Sequence, residues 1–195
     1  MTNILPFQLT KSQRLLAKGT SQDGACPVLT GIHIRNGAAE VLDGCILVQK
    51  AVDYNGDSII LSGKQVGLCK DDKELGAVSF IPDKSTSMQA IVDRGIRTVE
   101  LVSGTFPETE KLFPESEPVF KISLSKTVLS KFLSCLDEKD GENAIAFFFY
   151  GETSAVEFRS GESTRGLIMP LLNQVMDRWK RDSGAVKDTT SEEKQ

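Results

Sequence analysis

Along the chain, apolar residues run in short stretches that end at a hydroxyl residue followed closely by lysine. Phe7-Gln8-Leu9-Thr10-Lys11, Ile59-Ile60-Leu61-Ser62-Gly63-Lys64 and Phe120-Lys121-Ile122-Ser123-Leu124-Ser125-Lys126 all have this form. The pattern predicts a strand feeding a helix, with Thr10, Ser62 and Ser125 accepting hydrogen bonds from the unpaired amides of the first helical turn. Aligned on the leucine before each cap, the copies stand 52 and 63 residues apart, within or just beyond the span of repeated structural units. The third helix has the clearest period, because Val128, Leu129, Phe132, Leu133 and Leu136 share one face while Lys126, Ser130 and Ser134 fall on the other. The first is expected from Lys11 to about Gly19, with Leu15 and Leu16 inward and Lys11, Arg14 and Lys18 on one outer stripe. The second, from Gly63 to about Asp72, is weakened by Gly63 and Gly67.

Strand signals follow each helix. Runs at 28–35 and 39–52 flank Asn36-Gly37, a hairpin cue because both residues tolerate positive φ, and Asp43-Gly44 reads as a turn between strand halves. Further strands are expected at 77–81 and 97–102, then at 144–150, 155–159 and 166–169, with turns at Gly151-Glu152 and Ser160-Gly161. The repeated order is strand, helix, then two or three strands, which predicts an α+β fold. Residues 114–118, rich in Pro and Glu, read as a linker. Near the end, 174–180 has a helical pattern and 183–195 is polar with no core pattern, so that stretch is expected to be disordered.

Composition narrows the function classes. With 195 residues, 39% of them hydrophobic, the chain can bury one large core or two small ones. No stretch approaches the ~20 apolar residues of a membrane span, and residues 1–6 are too short and uncharged for a signal peptide, so a cytoplasmic protein is expected. Cys26, Cys45, Cys69 and Cys135 are separated by 19, 24 and 66 positions with no CxxC, which argues against zinc and for buried or half-buried reduced thiols. The net charge of −4 excludes a globally basic nucleic-acid binder but leaves a local basic surface open.

No catalytic constellation emerges. The stretch from Gly56 to Gly63-Lys64 differs from a phosphate-binding loop in glycine spacing, and Gln65 replaces the hydroxyl residue that would hold Mg²⁺. His33 sits in an alternating strand with no nucleophile near it in sequence and reads as structural. The carboxylates of 108–110 and 137–140 read as solvated loops. The expectation is a non-enzyme with no metal and no cofactor.

Four segments together resemble a known family. Val28-Leu29-Thr30-Gly31 is similar to the strand that opens the middle domain of the bacterial replicative sliding clamp, the β subunit of DNA polymerase III, and Leu42-Asp43-Gly44-Cys45-Ile46-Leu47 resembles its T-D-G-H-R-L segment. The stretch Gly104-Thr105-Phe106-Pro107-Glu108-Thr109-Glu110-Lys111-Leu112-Phe113-Pro114 resembles its G-x-F-P-D-Y-x-R-V-(I/L)-P. Leu167-Ile168-Met169-Pro170-Leu171 resembles its terminal V-x-M-P-M. The resemblance runs from about Phe7 to Leu172. It implies DNA-clamp-type repeats, three in this chain, with helices on one face and sheets on the other. Residues 1–114 correspond to a clamp-like domain of two repeats, 119–172 to half a domain of one repeat, and 173–195 to a short helix and tail.

In that family these motifs form a pocket for a short peptide of polymerases, clamp loaders and repair proteins. Carried over, Leu29, Gly44, Leu47, Pro107, Leu112, Ala155, Leu167, Met169 and Pro170 would form it, and aliphatic, Met and Pro side chains suit an adaptable groove. The resemblance also implies helices facing duplex DNA, with Lys11, Arg14, Lys18, Lys64, Lys70, Lys126 and Lys131 as phosphate contacts. Homo-oligomers are an expected form. Departures are Cys45 and Ile46 for the family's His-Arg, Lys111 for Arg, and Leu172 for the terminal Arg, and the loss of these guanidiniums would shift or weaken peptide preference. Two readings result: a processivity scaffold for replication or repair, or a truncated, non-ring relative acting as regulator or decoy. Trp179, with Arg178, Lys180 and Arg181, is a candidate partner contact beyond the family's terminus.

Overall fold

The structure is a computed structural model that describes residues 3–70, 76–114, 116, 120–136, 144–151, 153–161 and 164–171. Two compact units make up the chain, Met1–Pro114 and Glu115–Gln195. The first unit contains β1 (Phe7–Thr10), α1 (Lys11–Arg14), β2 (Gly31–Arg35), β3 (Ala38–Leu42) and β4 (Leu47–Ala51). The same order then recurs as β5 (Ile59–Ser62), α2 (Gly63–Gly67), β6 (Ala77–Lys84), β7 (Ser87–Val92) and β8 (Gly95–Glu100). The second unit holds α3 (Lys126–Leu133), β9 (Ala146–Phe148), β10 (Val156–Ser160) and β11 (Thr164–Ile168). No helix among the described residues is long and apolar enough to cross a membrane.

The lead strands pair across repeats. One sheet has the order β1-β6-β7-β8 and the other β4-β3-β2-β5, all antiparallel, so each repeat lends its first strand to the other's three-stranded meander. Registers match: the capping residue faces the first residue of the meander in both, Thr10 opposite Ala77 and Ser62 opposite Gly31. Leu9 then meets Val78 and Leu61 meets Ile32, and all four are fully buried. One core joins the two sheets, and Leu16 and Val66 enter it from the helical side.

Local chemistry sets the ends of the elements. Thr10 and Gln13 form a capping box at α1, and Ser125 accepts from the Val128 amide at α3. Ser62 makes no side-chain cap, because it still belongs to the β5 ladder opposite Gly31. Gly37 takes φ +74 in the β2–β3 hairpin, as its turn requires. Gly63 is needed for a different reason: a Cβ there would lie 2.6 Å from the Thr20 side chain and 2.8 Å from the Thr30 carbonyl. The glycine that weakens α2 is what lets its first turn approach the neighbouring backbone.

Several expected elements differ. The 28–35 run begins instead as a 3₁₀ turn, Pro27–Thr30, because proline at its start favours a helical turn. The first helix is α-helical only to Arg14 and continues as 3₁₀ over Leu15–Gly19, which turns Leu15 outward and Arg14 inward. A strand absent from the sequence reading, β7, lies between the two expected after α2. Residues 120–124, expected as a strand, belong to no sheet. Cys26, Cys45 and Cys135 are exposed and only Cys69 is buried, so the expectation of four sheltered thiols is corrected. Residues 71–72, 137–140, 174–180 and 183–195, with Trp179 and Leu172, lie outside the described residues.

Phe80 is fully buried and stacks on Phe7 at 5.2 Å across the exchanged pair β1–β6. Phe80→Ala is expected to lower the unfolding free energy of the first unit by about 3–5 kcal/mol, read by denaturant titration.

Candidate functional site

The helical side of the first unit carries a basic surface. Lys11, Arg14, Lys18 and Lys70, with Leu15 and Asp93, line a groove of about 470 Å³. A second groove of about 470 Å³ shares Lys70 and Asp93 and adds Arg94, Ile96 and Arg97. The first forms where α2 lies against the 3₁₀ turn Leu15–Gly19, and the second along the β7–β8 hairpin. Cations 7 and 59 residues apart in sequence, Lys11 with Lys18 and with Lys70, thereby come to one place.

Arg14 has a different role from its neighbours. Its residue surface is only 9% exposed, and Nη1 donates to the Cys69 carbonyl beyond the end of α2. There it satisfies an acceptor that the helix end leaves open and places positive charge at the favourable pole. The expected outer stripe is therefore Lys11 and Lys18, with Arg14 a tie beneath the groove. Lys64 is exposed on α2 but lines neither groove, and Lys126 and Lys131 are exposed on α3 of the second unit. Arg94 and Arg97 escaped the sequence reading because they lie in a turn and a strand, where a helical stripe does not look for them.

A buried carboxylate organises the opposite feature. Glu40, 1% exposed, accepts from His33 Nδ1 at 2.7 Å, Arg35 Nε at 3.1 Å, Gln49 Nε2 at 2.5 Å and Thr109 Oγ1 at 2.7 Å. Burial alone would raise its pKa, but the hydrogen bonds from Thr109, His33, Gln49 and Arg35 outweigh it and hold the carboxyl below its ordinary value. Burial lowers the His33 pKa, partly offset by the bond to Glu40 and its charge, while Arg35 adds to the lowering. Neutral His33 donates from Nδ1 to Glu40, faces Ser58 Oγ at 2.5 Å through Nε2, and stacks on Phe106 at 4.5 Å. The Ser58–His33–Glu40 connection has the order of a hydrolytic triad, but its carboxylate is shared among four donors and its imidazole lies beneath Phe106. Its evident work is to pin residues 104–112.

That pinning fixes the stretch of chain that carries Pro107 and Leu112, two of the first-unit residues expected at a peptide site. Gly104 packs against Val28, next to Leu29, and Thr109 ties the 3₁₀ turn Thr109–Leu112 to β3 and β4; Gly44 lies in the turn between these strands and Leu47 begins β4. Leu29 and Leu47 are half-buried, Gly44 takes φ +90, Pro107 is exposed, and Leu112 is 55% exposed. Lys111 pairs with Glu108, and Arg35 reaches Glu110, so the charges of this segment are locally matched. In the second unit Ala155 and Pro170 are half-buried, while Leu167 and Met169 are 67% and 66% exposed at the end of β11.

No family model matches the chain, and no curated protein matches it by sequence. Solved structures do match by shape. A DNA polymerase sliding clamp from Bacillus subtilis aligns over 87% of this chain and 51% of its own, with a TM-score of 0.62 and 15% identity. The chain has the fold of a bacterial sliding clamp. The DNA polymerase III β subunit of Borrelia burgdorferi gives a TM-score of 0.63 at 11% identity, over 86% of this chain and 49% of its own. A sliding clamp from Pseudomonas aeruginosa gives 0.55 at 14% identity, over 88% and 67%. The chain spans about half the length of the first two. On this clamp fold the interlocked repeats of the first unit present the basic grooves, and the Glu40 hub anchors the segment from Gly104 to Leu112. Among the described residues no group of His, Cys, Asp and Glu could hold a metal ion.

His33 is the sole histidine in the chain, and it yields a clean pH test. Its folded pKa lies below the ordinary 6.5, so its contribution to stability is complete above 6.5 and is lost as pH falls toward the folded value. Glu40, also lowered, acts in the same direction below 4.5. Unfolding free energy is expected to decrease between pH 7 and pH 5, and His33→Gln is expected to remove that decrease, as read by denaturant titration at the two pH values.

Proposed function

We propose that the chain is a non-catalytic, clamp-type scaffold of DNA replication or repair, working in the cytoplasm. It contacts duplex DNA without reading sequence and holds partner proteins by a short peptide. The observation that carries this reading is a basic surface on a clamp fold in a protein of net charge −4: Lys11, Lys18, Lys70, Arg94 and Arg97 surround adjoining grooves. Cations facing a phosphate backbone release its counterions, and this term depends on the local surface and not on the charge of the whole molecule. Lys64, Lys126 and Lys131 are further contacts on this reading, and Arg14 supports the groove from below.

The contacts proposed for a partner peptide are Leu29, Gly44, Leu47, Pro107 and Leu112 in the first unit and, in the second unit taken by itself, Ala155, Leu167, Met169 and Pro170. Polymerase, clamp-loader and repair proteins are the partner class. Tethering them at DNA raises their effective concentration there, which promotes the reaction without chemistry by the scaffold.

Duplex binding measured by fluorescence anisotropy is expected to weaken steeply with salt, with a log–log slope on the order of −4 if the five groove cations each neutralise a phosphate. The triple substitution Lys11→Glu, Lys18→Glu, Lys70→Glu is expected to lower affinity at least tenfold and flatten that slope. Absence of salt-sensitive DNA binding, together with absence of clamp-motif peptide binding, defeats the proposal. Peptide binding without DNA binding favours a regulator or decoy of clamp partners.

The peptide arm has its own expected outcome. Leu167→Asp and Met169→Asp are expected to reduce affinity for a clamp-motif peptide about tenfold or more, because a carboxylate must be desolvated where an apolar anchor would pack. DNA binding in the same variants should stay unchanged. Titration calorimetry with the full chain reads both.

A further inference from the structure

The third repeat repeats half of the first unit's architecture. In that unit each lead strand has a neighbour repeat to pair with. The β5 strand shows both of its edges in use: one pairs with β2, and the other meets the residues after β8, where the Val102 amide donates to the Ile60 carbonyl at 2.8 Å. In the third repeat the second of these contacts is present. The Leu171 amide, after β11, donates to the Ser123 carbonyl at 2.7 Å, and Ser123 occupies the place of Ile60, one residue before the aligned leucine. The first is not: among the described residues, 120–124 pair with no strand, and β9 is the edge of a sheet ordered β11-β10-β9.

The apolar pattern fits the missing contact. Phe147, Phe148 and Phe149 on and after β9 are all exposed, although such residues in β2 and β6 are buried beneath a lead strand. Phe120, Val128 and Leu133 are exposed as well, and α3 contains no buried residue. An open edge strand with aromatic side chains is a template for strand addition. The unit itself supplies one segment that needs a strand and one strand that needs a segment.

We infer that two copies of this chain associate through their second units by reciprocal strand exchange, residues 120–124 of each copy adding antiparallel to the outer edge of β9 in the other. The contact is two-fold symmetric, so it closes as a dimer and leaves no free edge at that site. It reproduces between chains the exchange that β1 and β5 perform within one. Carried over from Thr10–Ala77 and Ser62–Gly31, the register sets Ser125 opposite Ala146, Leu124 opposite Phe147, Ser123 opposite Phe148 and Ile122 opposite Phe149. Leu124 and Ile122 would then fall on the face where Leu9 and Phe7 are buried in β1. The inference stands apart from DNA or peptide binding, since it uses only the backbone edges and apolar side chains of the second unit.

The test is mass in solution with a register-specific cross-link, on the full chain. Sedimentation of the wild type at micromolar concentrations is expected to give a dimer. Ile122→Pro, in a segment outside the unit's own sheet, is expected to weaken dimerisation by a factor on the order of 100, because proline cannot donate to the new ladder. In a background with Cys26, Cys45 and Cys135 replaced by serine, the pair Ser123→Cys and Phe148→Cys on one chain is expected to give a disulfide-linked dimer under mild oxidation. A monomer at about 100 µM, within the micromolar-to-millimolar range in which unpaired strand edges associate, overturns the inference. So does a dimer that tolerates Ile122→Pro and forms no such disulfide, since the two copies would then meet elsewhere.

Discussion

A β-strand leaves its amides and carbonyls open until another strand accepts them, and in the first unit that demand is met by trading. The lead strand of each repeat joins the sheet of the other, so neither repeat can complete its hydrogen bonds alone. The trade also builds the core. Phe7 and Leu9 of β1 pack with Val78 and Phe80 of β6, while Ile59 and Leu61 of β5 pack with Ile32 and Ile34 of β2. Because the helix of each repeat follows its lead strand directly, exchange also carries α1 and α2 to the same side, where Leu16 and Val66 seal one core. Everything the basic surface requires depends on this crossing of strands.

A second constraint, smaller in extent, acts through a single charge. A carboxylate 1% exposed would be costly without partners, and Glu40 has four, drawn from β2, β4 and the segment 104–112. Such a group fixes geometry because each lost partner leaves a buried charge less satisfied. The segment from Gly104 to Leu112 has little regular structure of its own, yet Thr109 is buried and its hydroxyl is bonded to that carboxylate. Of the residues proposed for the peptide, Pro107 and Leu112 thus flank a fixed point of the chain, both exposed. Preorganisation of this kind lowers the ordering cost of binding.

The sequence made some of this legible and hid the rest for physical reasons. Lead strands, caps and repeat spacing are local properties, and the leucines at 9, 61 and 124 mark them by composition alone. Hairpin turns at Asn36-Gly37 and Asp43-Gly44 are equally local. Which strand pairs with which is a long-range choice, and nothing in β1 itself states that Phe80, and not Ile34, will lie opposite Phe7. The inward turn of Arg14 was hidden for a related reason: a helical wheel assumes a constant rise, whereas the helix tightens to 3₁₀ at Leu15 and presents Arg14 to Cys69. His33 and Glu40, seven residues apart, are opposite one another across the β2–β3 pair, but the partners that make Glu40 a hub lie as far away as Thr109.

Charge shows the same division between local and long-range information. The composition gives −4, and each lysine of the basic surface, taken in its own stretch of chain, is an ordinary solvated side chain. Only the packing of α2 beside the 3₁₀ turn after α1 sets Lys70 near Lys11 and Lys18, and only the β7–β8 hairpin adds Arg94 and Arg97. Asp93 lies among them and tempers the field without reversing its sign, since it faces several cations and pairs with Arg94 at 3.8 Å. The potential felt by a polyanion falls off within about 10 Å at moderate salt, so this cluster acts largely independently of acidic residues elsewhere. A chain that is acidic in sum can therefore present a cationic groove, provided that strand exchange has first brought its two helices to one side.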